Sequence, residues 1–170
     1  MDPMPIVSKS NLEQSFEEIH RGIISAVTTS PGGVMDESGT TATIVYVTDL
    51  SVIIANVGDS RAVLSQWTQD SRGRDILSAV QLTVDHIVSS HSEQELIAQR
   101  GGSVSRSGGI ERVNGILAVS RSLGDISLAP FLSRSPHVLA LTKTEVRGMC
   151  GAAADQDKPC FLIAASDGLW

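Results

Sequence analysis

Two β-branched runs, Thr41-Ala42-Thr43-Ile44-Val45-Tyr46-Val47 and Ser51-Val52-Ile53-Ile54-Ala55-Asn56-Val57, are separated by only Thr48-Asp49-Leu50. A connection that short folds one strand back against the other, because parallel strands need a crossover of a dozen or more residues. Apolar residues occupy successive positions in both runs, so both faces of the hairpin are expected to be covered. Gly58-Asp59-Ser60 turns the chain into a third strand, Arg61–Ser65. The polar stretch Gln66–Asp75 reads as an exposed loop, and Ile76–Leu82 as a further strand. Strands that cluster by hairpin, without helices alternating between them, indicate an α+β fold with antiparallel sheet covered by helices.

The helices are marked by their caps and their period. Ser10-Asn11-Leu12-Glu13 has the capping-box pattern, and Leu12, Phe16, Ile19, Ile23 and Val27 recur at helical spacing, which predicts an amphipathic helix over 11–27. Thr28 to Gly39 is loop-like. Ser92 with Glu95 predicts the start of a second helix that buries Leu96 and Ile97 and stops at Gly101-Gly102. Ile116–Val119 reads as a short strand, 122–136 as loop and Val138–Thr142 as an edge strand. Asp155–Lys158 reads as a polar turn into the last strand, Pro159–Ala165, expected to be buried. No internal repeat or second domain is evident.

Composition removes several classes of function. A 170-residue chain with 41% hydrophobic and 19% charged residues suits one globular domain. The formal charge of −6 argues against nucleic acid as a partner, since phosphate backbones select basic surfaces. No apolar run approaches the length of a membrane span, and Met1-Asp2-Pro3-Met4-Pro5 does not resemble a secretory leader. Cys150 and Cys160 are too few for a disulfide scaffold and lack zinc-ligand spacing. Cys160 is expected to be a small buried hydrophobe, and the chain to be intracellular, in cytoplasm or nucleus. Nothing in the sequence fixes an oligomeric state.

Several stretches could carry chemistry. Ser166-Asp167-Gly168 follows an apolar run, where a lone carboxylate at a strand end can meet a metal or substrate; on the motif alone an ordinary Asp-Gly turn accounts for it better. Gly58-Asp59-Ser60 could hold a nucleophilic serine, but none of His20, His86, His91 and His137 sits in an acid–base motif to activate it. In Thr83-Val84-Asp85-His86, Asp85 could cap a turn or bind a metal, with a solvated turn as the simpler reading. Gly101-Gly102 and Gly108-Gly109 match no phosphate-binding loop.

Taken in order, five segments resemble one family. They are Ser38-Gly39-Thr40-Thr41-Ala42, Ala55–Leu64 with its Gly58-Asp59-Ser60-Arg61, Leu82–His86, Arg112–Asp125 with Leu123-Gly124-Asp125, and Ala165–Trp170 with Ser166-Asp167-Gly168. Residues 10–170 resemble part of a protein phosphatase 2C (metal-dependent protein phosphatase) domain, and 1–9 are unmatched. The resemblance implies two antiparallel β-sheets packed as a sandwich and flanked by helices. It also implies Ser/Thr dephosphorylation of phosphoproteins by water activated between two Mg²⁺ or Mn²⁺ ions. By position, Asp167 matches a direct metal ligand and Asp85 an Asp associated with a third, weaker metal; no other catalytic residue is carried over. Asp59 and Asp125 are read as structural turn residues.

The family's Asp-Gly-His-Gly-Gly motif and its later Gly-Asp-Asn motif are not found between Met1 and Trp170. The resemblance is therefore to a domain incomplete at both ends. Weak or absent metal binding, little activity by this polypeptide alone and marginal stability are the expectations. The alternative is a non-catalytic pseudophosphatase or regulatory binding module.

Overall fold

The computed structural model describes residues 8–28, 36–151 and 158–170. In chain order the elements are α1 (Lys9–Thr28), β1 (Gly39–Thr40), β2 (Ala42–Val47), β3 (Ser51–Val57), β4 (Arg61–Gln69), β5 (Asp75–Gln81), α2 (His91–Gln99), β6 (Val104–Ser107), β7 (Ile110–Val113), β8 (Leu123–Gly124), β9 (His137–Thr142), α3 (Lys143–Met149) and β10 (Leu162–Ala165). They fall into two compact units. One comprises Met1–Ala42, Val57–Asp59 and His86–Pro136, and the other Thr43–Asn56, Ser60–Asp85 and His137–Trp170.

The second unit holds two three-stranded sheets, ordered β2-β3-β9 and β10-β4-β5. Val52 and Ile54 of β3 and Ala62 and Leu64 of β4 meet in one core with Leu82 and Cys150. Alternation explains which residues enter it, since β4 points Ala62 and Leu64 to one side and Arg61 and Val63 to the other. Each large aliphatic chain so buried contributes about 1.5–3 kcal/mol. α3 covers the core with Val146 and Met149. It starts with a reciprocal cap, where Glu145 N donates to Thr142 Oγ1 at 3.2 Å and Thr142 N donates to Glu145 Oε2 at 2.7 Å. This helix carries little apolar period, so sequence periodicity does not mark it.

The Gln66–Asp75 stretch is not a loop. β4 runs on to Gln69 and β5 begins at Asp75. Between them Asp70 Oδ1 accepts from Arg72 N at 2.8 Å and from Arg74 N at 2.9 Å, while Gly73 takes a positive φ of 73°. One aspartate thus organises the whole turn. The hairpin β2–β3 forms as expected, but only β3 is covered: Ile44, Tyr46 and Val47 are exposed, because β2 is the edge of its sheet. The final strand is also an edge. β10 spans four residues, pairs with β4 alone among the described residues, and leaves Ile163 at its centre 41% exposed.

In the first unit α1 buries Phe16 and His20 while Ile19 lies outward, so a histidine takes a place the apolar period gave to isoleucine. Its cap is Ser8, whose Oγ accepts from Asn11 N at 3.1 Å; Ser10 lies within the helix. Likewise Ser90, not Ser92, precedes α2, which ends where Gly101 adopts φ 79°. A second core joins Val88, Ile97, Val113, Leu128 and Leu132. The hairpin β6–β7, turning on Gly108 and Gly109 at φ 60° and 84°, contributes Val104 and Val113 to it. Ile116–Val119 forms no strand; Leu117 and Val119 make isolated bridges. The polar turn expected at Asp155–Lys158 falls largely outside the described residues.

Candidate functional site

Both sequence-derived ligand candidates lie in the second unit, and strand register accounts for their placement at the same end of β4. β10 is antiparallel to β4 with Ala165 opposite Arg61. Asp167, two residues beyond Ala165, therefore leaves the sheet at the end of β4 that Arg61 begins. Trp170 Nε1 donates to Ala165 O at 3.1 Å, Leu169 N to Ser166 O at 3.1 Å and Trp170 N to Asp167 O at 3.2 Å. These bonds close a turn around Asp167. Its carboxylate is exposed and makes no hydrogen bond or ion pair among the described residues. A hard, accessible oxygen ligand at a fixed strand end suits Mg²⁺ or Mn²⁺ chemically.

Asp85 stands at the same end of β4 but is already committed. Arg61 grips it in a fork, with Nε 3.0 Å from both carboxylate oxygens and Nη2 2.5 Å from Oδ2. Gln81 Nε2 adds a bond to Oδ1 at 2.8 Å. A carboxylate held by a planar guanidinium is a positioned group, and a cation would have to displace Arg61 to reach both oxygens. Among the described residues no three His, Cys, Asp or Glu side chains gather to hold an ion. By themselves, then, the described residues do not fit a two-ion centre.

The other two aspartates belong to the first unit. Asp125 has φ 49°, accepts from Ser122 Oγ at 2.5 Å and donates its N–H to Ser38 O at 3.1 Å. Gly39 lies so close that an added Cβ would enter the Asp125 carboxyl group. Asp59 borders a cleft of about 550 Å³ with Ser89, Arg106, Ile110 and Glu111.

Sequence patterning missed a buried ionic group in the same unit. Glu93, in the first turn of α2, is almost fully enclosed and takes bonds from Ser120 Oγ at 2.5 Å, Arg121 Nε at 3.0 Å and Arg121 Nη2 at 2.6 Å. Burial pushes its pKa up, but the hydrogen bonds from Arg121 and Ser120, the Arg121 charge and a contribution from His86 overcome this and hold it below 4.5. The signal was present in the motif: Ser120 and Arg121 lie within the Arg112–Asp125 segment, but nothing local says which acid pairs with them. His20 is a second buried titratable group. Burial and the nearby Arg134 lower its pKa against the opposing charges of Glu17 and Asp125, and its Nδ1 accepts from Gly124 N at 3.2 Å.

The cysteines depart from their expected roles. Cys150 is fully buried, Cys160 is exposed, and the two are joined as a disulfide. The C-cap of α3 and the residue two before β10 dock beside one another on β4, which sequence spacing alone does not reveal.

These antiparallel sheets and their helices make an α+β protein with a carboxylate turn at a strand end. The protein phosphatase 2C family model matches residues 6–170, and the chain belongs to that family. It is 38% identical over 159 residues to "Protein phosphatase 1L" of Bos taurus, covering 94% of this chain and 38% of that protein. It is 37% identical over 166 residues to "Probable protein phosphatase 2C 10" of Arabidopsis thaliana, covering 93% of this chain and 51% of that one. Among solved structures, the serine-threonine phosphatase 2C from Toxoplasma gondii superposes with a TM-score of 0.69 at 20% identity, covering 95% of this chain and 51% of the other. The chain thus spans between about a third and a half of the length of these relatives. Among the described residues no helix is long and apolar enough to cross a membrane.

Proposed function

We propose that this chain contributes part of the catalytic domain of a Mg²⁺- or Mn²⁺-dependent protein phosphatase acting on phosphorylated Ser/Thr proteins inside the cell. Asp167 serves as a direct metal ligand. The observation that carries this is the exposed Asp167 carboxylate, set by β-register at one end of β4 within the family's Ser-Asp-Gly motif. Asp85 has an outlying role: bound by Arg61 and Gln81, it orients that end of the sheet and gives weak metal contact only when Arg61 yields. A bound pair of divalent ions would supply an activated water and charge neutralisation at phosphorus. This polypeptide alone has little turnover, because among the described residues this strand end offers one available carboxylate, and one cannot hold two hard cations at useful affinity.

The test pairs calorimetric titration with Mn²⁺ and phosphopeptide hydrolysis. The expected result is weak Mn²⁺ binding that Asp167→Asn abolishes, with phosphate release at background. Weak binding unchanged by Asp167→Asn would refute the ligand assignment. Clear turnover lost in that variant would refute the claim of inactivity.

A further inference from the structure

We propose that Cys150 and Cys160 form a reversible oxidation site whose state sets how firmly β10, and with it the Asp167 turn, is held to β4. The inference goes beyond the metal reading and does not depend on it. Three observations carry it. The first is placement: the two residues lie ten apart in sequence with Cα atoms at 5.8 Å, within the span a disulfide bridges.

The second is that both cysteines are docked by bonds that do not involve sulfur. Trp67 N donates to Cys150 O at 2.8 Å, and Trp67 Nε1 donates to Pro159 O at 2.9 Å. Next to Cys160, Ser65 N donates to Phe161 O and Phe161 N donates to Ser65 Oγ, each at 2.9 Å. The reduced thiols therefore remain within reach of one another, and cross-linking needs no refolding. The third is asymmetry. Cys150 is fully buried beside Ser65 Oγ, whereas Cys160 is exposed. An accessible sulfur that meets oxidant next to a protected partner that resolves it is the arrangement of redox-sensing pairs.

With a hydroperoxide as oxidant the chemistry balances. The Cys160 thiolate attacks the peroxide, the O–O bond breaks and the sulfur is oxidised to a sulfenic acid, releasing hydroxide when the oxidant is hydrogen peroxide. The Cys150 thiol, as its thiolate, then attacks that sulfur, the S–O bond breaks and a second hydroxide leaves. Protons from the two thiols convert both hydroxides to water. A dithiol reverses the bridge by exchange, itself becoming a disulfide. The consequence falls on an edge strand of four residues with its centre exposed, the kind of element that opens locally at low cost. Closing the covalent loop restricts that opening.

The test follows thiol labelling and amide exchange on the purified protein. In the reduced protein, iodoacetamide under native conditions should modify Cys160 and spare Cys150. One equivalent of hydrogen peroxide should give a species lighter by two hydrogens, cross-linked between the two cysteine peptides and restored by dithiothreitol. Amides of 162–165 should exchange about tenfold faster in the reduced state than in the oxidised one. Cys160→Ser, at an exposed position, should show the faster exchange with or without peroxide. Over-oxidation of Cys160 without a cross-link, a bridge that dithiothreitol cannot open, or equal exchange in the two states would each overturn the proposal. None of these readouts uses metal or phosphatase activity, so failure here is distinguishable from failure of the functional reading.

Discussion

Replacing Glu93 with Gln tests whether the buried ion pair of the first unit matters to stability. The Glu93 side chain is 6% exposed and its partner Arg121 15% exposed. Gln keeps the shape but supplies one neutral oxygen where a carboxylate received three bonds, from Ser120 and from two nitrogens of Arg121. Arg121 keeps its bond to Ser135 O at 2.5 Å but loses its counter-charge. Removing one member of a buried pair costs about 3–5 kcal/mol, because the remaining charge stays enclosed without compensation. For a chain of this size each 1 kcal/mol moves Tm by about 2–4 °C, so a loss near 10 °C is expected in a thermal melt followed by circular dichroism. The pH dependence has a definite sign. The folded pKa of Glu93 is depressed, so the pair's contribution is complete above the ordinary glutamate value of 4.5 and is lost as pH falls below it. The variant and the parent should therefore converge in stability on acidification. A shift under about 1 °C at neutral pH, or a gap that widens in acid, would refute the reasoning.

Gly58→Ala should destabilise by about 2 kcal/mol or more in urea titration, since Gly58 has φ 97° and an added Cβ would meet the Thr41 side chain. Arg61→Met should cost only about 1 kcal/mol, because Arg61 is a third exposed and solvent screens the pair; if Asp85 can bind metal, calorimetry on this variant should show tighter Mn²⁺ binding than the parent. Reduction of Cys150–Cys160 should lower stability by about 3 kcal/mol in denaturant titrations with and without dithiothreitol, the chain-entropy figure for a loop of this size. His20 has its pKa depressed by burial and by Arg134, so its contribution is present above pH 6.5 and fades as pH falls through the folded value; a His20→Gln melt should lose that slope between pH 7 and 5.

What sequence made legible depended on the range of the interaction. The β2–β3 hairpin was readable because two β-branched runs and a three-residue connection are local facts. The cap assignments failed by two residues, at Ser8 against Ser10 and at Ser90 against Ser92, because each stretch offers several serines and only the geometry of the preceding turn chooses between them. The turn at Asp70 was hidden by its polarity: exposed strand ends and a loop have the same composition, and what separates them is the cross-strand register from Gln69–Asp75 to Val63–Gln81. Glu93 with Arg121, 28 residues apart, and the docking of Cys150 beside Cys160 are contacts that no period in the sequence encodes. The Asp167 position was legible as a motif, but the engagement of Asp85 by Arg61 and Gln81 was not, since a carboxylate's availability is decided by what surrounds it in space.

Strand β4 links these features mechanically. At its first residue Arg61 faces Ala165 and grips Asp85, so that end of the sheet holds both acidic candidates. Towards its other end Ser65 and Trp67 receive Cys150, Pro159 and Phe161, so the approach to β10 is fixed there. β10 is thus anchored at its start by the disulfide and its neighbouring hydrogen bonds, while the Asp167 carboxylate, two residues past its end, makes no side-chain bond among the described residues. An edge strand so short has little intrinsic stability, and the position of Asp167 depends on whether the four ladder residues stay paired. Tightening the anchor restricts the turn; loosening it lets the turn move without disturbing the core residues Ala62 and Leu64, which remain packed against β3. The proposed switch rests on the separation of the sulfur anchor from the Asp167 turn along one strand, so that two sulfurs would bear on a carboxylate they do not touch.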